Sequence, residues 1–278
     1  MQEDCISIKK GFQYKDCIRK CFVCRVGASN SRSKPTIIYE DYKKNIPSSL
    51  LHNLDYTLNN SNNVRNRTSK KVKIGYSTSE DAVSWIFINY FIQNQKLEIL
   101  KKLLNCKSNI IEVLMWGVPQ IDREFENPLK DICRKLGEKE NSFSEPDIIV
   151  ICEGEIDFIE VKVKSNNEKK NPEKINFDKY LNNNFYLDKK LAKNSKYYEL
   201  IRNWTIANSF SKIKMIRLLN LAPKKLFYKE KNADFLNFIS SLVRKENFEQ
   251  IAWEDIIKKM DSYSIDIEIV NELKKRIK

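Results

Sequence analysis

Apolar residues recur along this chain in two rhythms, and the alternation between them outlines the fold. From Ser77 to Phe91, Ala82, Ile86 and Asn89 alternate with Val83, Phe87 and Tyr90 at helical spacing behind a Ser/Thr-rich start, which predicts a helix. Ser77-x-x-Glu80 reads there as a capping box. A second helix is expected around Lys96 to Cys106. Ile110 to Trp116 is a short run of branched residues closed by Gly117 and Pro119, which favours a buried strand. A brief helix follows at Leu129 to Leu136, and from Asp147 to Lys164 two apolar runs meet at Glu153-Gly154 as a hairpin. A helix from Lys196 to Asn208, a strand from Ile213 to Leu221 and further helices complete the pattern. Helices alternating with strands in this order predict an α/β fold, a mixed central sheet flanked by helices with C-terminal helices beyond it.

Before the first helix the pattern changes. Residues 1 to about 54 hold four of the seven cysteines, and Leu58 to Lys71 is rich in Asn, Ser, Arg and Lys without periodic apolar positions, which reads as a linker. The expected division is a Cys-containing N-terminal segment and linker over 1–70 and a main domain with a C-terminal helical extension over 71–278. The most apolar stretch, Trp85 to Ile92, is interrupted by Asn89 and is too short to span a bilayer, so it reads as a buried helix. The opening Met1-Gln2-Glu3-Asp4-Cys5 lacks the basic and then apolar layout of a secretory signal, so a cytoplasmic location with reduced cysteines is expected.

Charge and absences narrow the chemistry. A net charge of +13 suits a polyanionic partner, nucleic acid first, although a lysine-rich codon bias would produce the same excess. His52 is the only histidine, which excludes histidine-rich metal sites and leaves His52 as the one available imidazole base. None of the six glycines is followed by lysine, so the phosphate-cradling loop of a nucleotide hydrolase is missing. Any ATPase activity then belongs to a partner protein, such as another subunit of a complex.

The hairpin concentrates the candidate chemistry. If Glu153-Gly154 is a two-residue turn, Cys152 faces Glu155, and counting back sets Asp147 opposite Glu160 on one face. Opposed Cβ atoms lie about 4.5–5.5 Å apart, so the two carboxylates repel unless a cation lies between them. Lys162, two residues beyond Glu160, returns to the same face. Hard oxygen ligands of this kind suit Mg²⁺ or Mn²⁺.

Glu145-Pro146-Asp147, an apolar strand, then Glu160-Val161-Lys162 resembles the motif of the PD-(D/E)xK nuclease superfamily. The resemblance covers about residues 75 to 225 and leaves the amino-terminal segment outside. It implies a restriction-endonuclease-like α/β/α core and a metal-dependent endonuclease acting on DNA, in restriction or anti-phage defence. It further implies that Asp147 and Glu160 hold the metal and that Lys162 positions the attacking water and steadies the charge developing on phosphate. Members usually add an acid from a preceding helix, for which Glu80 is the candidate and Asp81 the fallback. The segment Tyr197 to Trp204 is similar to one downstream of the motif in some bacterial families, where Gln is expected in place of Glu199. With Leu200, Ile201 and Trp204 as the packing stripe, Arg202 is left as a candidate phosphate contact.

Two regions keep alternative readings. Cys5, Cys17, Cys21 and Cys24 fit either a structural Zn²⁺ module, with His52 as a substitute ligand, or isolated reduced thiols, while Cys106, Cys133 and Cys152 read as core residues. Between Lys162 and Lys196 ten lysines stand against four acids, interleaved with Tyr180, Phe185 and Tyr186. That stretch suits a substrate channel with stacking aromatics or a solvated insertion anchored by them. Beside an active nuclease, the competing functions are a nuclease fold that binds nucleic acid without cutting it and an interaction subunit whose basic surface meets RNA or a partner protein.

Overall fold

The computed structural model describes residues 17–21, 24–29, 36–168, 177–210, 215–230 and 232–277. The chain opens with a small antiparallel sheet of β1 (Cys17–Lys20), β2 (Val26–Ser29) and β3 (Ile37–Tyr39). Helices α1 (Leu54–Asn60), α2 (Arg67–Ile74), α3 (Glu80–Gln93) and α4 (Leu97–Leu104) follow. Next come β4 (Ile110–Met115), β5 (Val118–Pro119), α5 (Leu129–Lys135) and the hairpin of β6 (Ile148–Cys152) and β7 (Glu155–Val161). After α6 (Asp178–Leu181), α7 (Lys189–Asn194) and α8 (Tyr198–Asn208), β8 (Met215–Ala222) adds to the sheet. The chain then runs through α9 (Lys224–Glu230), α10 (Ala233–Ser241), β9 (Phe248–Ala252), α11 (Trp253–Ser262) and α12 (Ile267–Ile277).

The six-stranded main sheet has the order β5-β4-β6-β7-β8-β9, antiparallel up to β7 and parallel from β7 to β9. This is the expected α/β architecture with a mixed sheet between helices. Both faces are covered, which is why β6 is a continuous rather than alternating apolar run, and β6 and β7, the latter with Glu155, Asp157 and Glu160 among its residues, are buried along their whole length. Val113, Ile148, Val150, Val161 and Leu221 face one layer with α3, α4, α11 and α12. Leu114, Ile149, Phe158 and Leu218 face the other, with α5, α8 and α10.

Helix α3 is apolar nearly all round and is accordingly a central element, with Phe87 edge-on to Trp253 and Trp85 stacked on Trp116. Among the described residues no helix is long and apolar enough to cross a membrane. Cys106, Cys133 and Cys152 are buried, as their apolar settings imply.

Two local expectations change. The stretch 58–71, read from its composition as a linker, is built into the domain by α1 and α2. Leu58 and Ile74 are buried in the α3 core, so three or four well-spaced apolar positions suffice where the partner surface is already apolar. The capping box also fails. Helix α3 begins two residues later than Ser77 suggests, and its cap is Ser79, whose side chain accepts from the Ala82 amide. The Ser77 hydroxyl instead accepts from Ile37 N. The Glu80 carboxylate is thereby released from a capping role.

Candidate active site

The hairpin turns at Glu153-Gly154 with Gly154 at φ +83°, a left-handed conformation that favours glycine, and Cys152 pairs with Glu155. The register runs back through Ile149–Phe158 to Ile148–Ile159, and one further step sets Asp147 against Glu160. The Asp147 carboxylate accepts the Val161 amide at 2.8 Å, while its own carbonyl accepts from Trp116 N, fixing the residue between β4 and β7. On the other side Glu160 pairs in register with Asn220 of β8, and Asn220 with Gln250 of β9. A polar row thus crosses the sheet at the carboxyl ends of its parallel strands, where open α/β sheets bind ligands.

Lys162 is held by backbone bonds to both neighbours. Its amide donates to Leu221 O at 2.9 Å and its carbonyl accepts from Trp253 Nε1 at 3.1 Å. The buried ammonium lies 2.6 Å from Glu160 Oε1, 3.3 Å from Glu199 Oε2 and 4.0 Å from Glu80 Oε2. Burial alone would lower its pKa, but the charges of Glu160, Glu199, Glu80 and Asp147 outweigh that and hold it well above the ordinary lysine value. Glu160 Oε2 accepts from Asn203 Nδ2 at 2.8 Å, so both of its oxygens are oriented.

Glu80 reaches the site from α3. Its Oε1 accepts from Val163 N at 3.0 Å and Ser165 Oγ at 2.8 Å, tying the helix start to the end of β7. The fallback residue Asp81 turns elsewhere, to Lys70 at 3.0 Å. Lys70 also pairs with Glu145 at 3.0 Å and lies 4.6 Å over the Trp116 ring. Burial opposes its charge, yet Asp81, Glu145 and Asp147 together keep its pKa raised.

Asp147 experiences the opposite balance. Burial, then the charge of Glu160, push its carboxyl well above the usual carboxylate range, against the partial compensation of Lys162. The opposed carboxylates of Asp147 and Glu160 offer hard oxygen donors of the kind a divalent cation takes. Among the described residues no group of three or more His, Cys, Asp or Glu side chains is placed to hold a metal ion; an ion here would rest on one or two carboxylates and keep several waters, as Mg²⁺ does.

These groups line a cleft of about 1110 Å³. Its walls also carry Arg65, Lys73, Lys139, Lys164, Lys179 and Arg202. Arg202 reaches the cleft beside Tyr198, 5.6 Å from its ring; burial opposes its charge, but Glu199, Tyr198, Glu160 and Tyr180 together keep the guanidinium pKa raised. No family model, curated protein or solved structure matches the chain. The case for chemistry therefore stands on this geometry.

Glu199, where the resemblance leads to an expectation of Gln, enters the site, and Asn203 one turn later supports Glu160. The signal was present: Glu199, Arg202 and Asn203 fall at i, i+3 and i+4 on one helical face. Lys70 carried no such signal, since its burial comes from the packing of α2. Of the two readings of the aromatic residues, the anchoring one fits Tyr180 and Tyr186, and Tyr180 also lines the cleft. Both rings are buried, with the hydroxyls bonded to Glu138 and to Ile201 O, so they anchor the segment to the core. Phe185 packs partly buried against the same cluster, while Lys164 and Lys179 do face the cleft. His52 is exposed and does not line it. Of the suggested zinc ligands, Cys5 and the side chain of Cys17 lie outside the described residues, and Cys21 and Cys24 are partly buried near the β1–β2 connection.

Replacing Glu80 separates a ligand from a structural prop. Glu80→Gln keeps an acceptor for Val163 N and Ser165 Oγ, so stability is expected to change by about 1 kcal/mol or less. If the cleft hydrolyses phosphodiesters with a metal that Glu80 helps to hold, cleavage should fall at low Mg²⁺ and recover in part as the metal is raised. A Mg²⁺ titration of initial rates superimposable on the parent's would assign Glu80 to structure alone.

Proposed function

We propose that this protein is a metal-dependent nuclease that hydrolyses phosphodiester bonds of DNA, an endonuclease of the PD-(D/E)xK type serving restriction or anti-phage defence. The observation that carries the reading is the convergence of Glu80, Asp147, Glu160 and Lys162, from two separate parts of the sequence, at one end of a cleft with basic walls. A structural ion-pair network alone gives no reason to set Asp147 against Glu160, where both burial and like charge raise its pKa.

Asp147 and Glu160, with Glu80, would hold Mg²⁺ or Mn²⁺, which when bound supplies Lewis-acid stabilisation of phosphoryl oxygen and acidifies a bound water. The chain's own contributions follow from the contacts. Asn203 and Lys162 fix the Glu160 carboxylate, and Val161 N fixes that of Asp147. Lys162, kept cationic, orients the water and stabilises negative charge that grows on the phosphate. Arg202 and the lysines of the walls take neighbouring phosphates.

One observation favours a second reading. Lys162 contacts three carboxylates and can neutralise much of their charge without a metal, which suits a nuclease fold that binds nucleic acid but does not cut. Labelled DNA and RNA substrates incubated with Mg²⁺, Mn²⁺ or EDTA decide between the two. Metal-dependent cleavage of DNA supports the first, and binding with no cleavage under any metal supports the second. A cytoplasmic setting, an ATPase or defence-complex partner, and a structural Zn²⁺ on Cys5, Cys17, Cys21 and Cys24 are further parts of the proposal. Copurification and metal analysis of the full chain test them.

The basic walls carry their own expectation. If the six cations named on them each meet a phosphate, the logarithm of the DNA association constant should fall against log salt with a slope of about −5. Fluorescence anisotropy across a salt series measures it, and a flat response would mean that the walls are not the interface.

A further inference from the structure

A second cavity of about 740 Å³ opens where the last turn of α12 meets the segment around residues 36–47. Thr78 and Lys164 line both this cavity and the catalytic cleft, so the two meet beside the start of α3. Lys44, Lys164, Lys275 and Arg276 line it against one carboxylate, Glu272. The surroundings are firmly built, since Asn45 bridges the carbonyls of Ile74 and Tyr76 from beneath at 2.6 and 2.8 Å.

Arg276 is the informative residue. Helix α12 buries Ile269, Val270, Leu273 and Ile277, and the same packing leaves Arg276 only 6% exposed. Its Nε and Nη2 meet Glu272, and Nη2 also donates to Asn45 O at 2.6 Å. Nη1 is buried without a hydrogen-bond partner among the described residues. A buried charged donor left unmade is costly, so an acceptor from outside the chain is the economical explanation for keeping it at a cavity wall. Flanking lysines make that acceptor an anion, and continuity with the cleft through Thr78 and Lys164 supplies one.

We propose that this cavity is a second phosphate-binding subsite, which holds a backbone phosphate of the DNA strand whose scissile bond lies in the catalytic cleft. The proposal rests on the nuclease reading. It makes Arg276, Lys275 and Lys44 positioning residues that set how the strand enters or leaves the site. They engage only substrates long enough to span both cavities.

The test compares the parent with a Lys44→Gln, Lys275→Gln double variant on short and long labelled DNA. Both lysines are exposed and carry no part of the core. Binding is read in Ca²⁺ and cleavage in Mg²⁺. The variant should bind long DNA roughly three- to ten-fold more weakly, with its salt slope reduced by about 2, and should handle short DNA within about two-fold of the parent. Arg276→Lys, checked for an unchanged melting temperature, should show a similar loss confined to long DNA. A variant that binds long DNA as the parent does overturns the subsite, as does an equal loss on both lengths, which would reflect only the general field of the surface. If the parent itself never cuts DNA, the nuclease reading fails instead, and the two failures are told apart by that control.

Discussion

Asp147→Asn should abolish cleavage while the metal-free protein melts at or above the parent. The substitution keeps the shape and an acceptor for Val161 N, but removes a charge that the site disfavours. Burial and Glu160 raise the folded-state pKa of Asp147, so the stability linked to this group is complete below the ordinary aspartate range and declines as pH rises towards the folded value. At neutral pH the Asn variant escapes that penalty. Below about pH 4, where Asp147 is protonated in both states, the advantage should vanish. Mg²⁺ should raise the melting temperature of the parent by mass action, and the variant should lose most of that shift. Thermal melts with EDTA and with Mg²⁺ at two pH values give every term. A variant that melts well below the parent and retains the full Mg²⁺ response would make Asp147 a structural residue and remove the proposed metal site.

Lys162→Ala should also eliminate cleavage, with a different stability signature. The lysine is buried amid Glu160, Glu199 and Glu80, and its removal leaves their charges uncompensated. Breaking a buried pair from one side costs about 3 kcal/mol or more, or roughly 6–12 °C in melting temperature for a domain of this size. Part of that loss should return with Mg²⁺, since a divalent cation can take over the neutralising role. DNA binding should survive nearly unchanged, because one lysine among 50 basic residues adds little to nonspecific affinity. Anisotropy, melting and single-turnover cleavage on the same preparation check the three parts together. Retained cleavage would take Lys162 out of the mechanism.

These opposed stabilities follow from one arrangement. Asp147 adds to an excess of negative charge, and Lys162 offsets it. A site made only to stabilise the fold would lose stability on removal of either member. The expectation that one removal is tolerated and the other is not thus separates a site prepared for a cation from an ordinary ion-pair network.

The sequence by itself determined four strands of the main sheet, β4, β6, β7 and β8, and the register of the central hairpin, whereas β5, β9 and the strand order came only with the tertiary structure. Period-two geometry across a two-residue turn at Glu153-Gly154 leaves one register in which both apolar runs stay buried, and that register sets Asp147 opposite Glu160 and returns Lys162 to the same face. The helices α3, α4, α5 and α8 were likewise legible, because their apolar positions recur at helical spacing over two turns or more. Contacts between elements distant in sequence were decided only by the tertiary structure. The start of α3 moved to Ser79 because Ser77 is engaged by Ile37, and this freed Glu80 to reach Val163, 83 residues away. Composition gave 58–71 the look of a linker, yet α2 packs against α3 and buries Lys70 beside Asp81 and Glu145. Glu199 and Asn203 joined the site only through the docking of α8 on the sheet. Local pattern encodes periodicity and register, which act within a few residues; which polar group meets which across the core depends on how whole elements pack, and no short window of sequence contains that information.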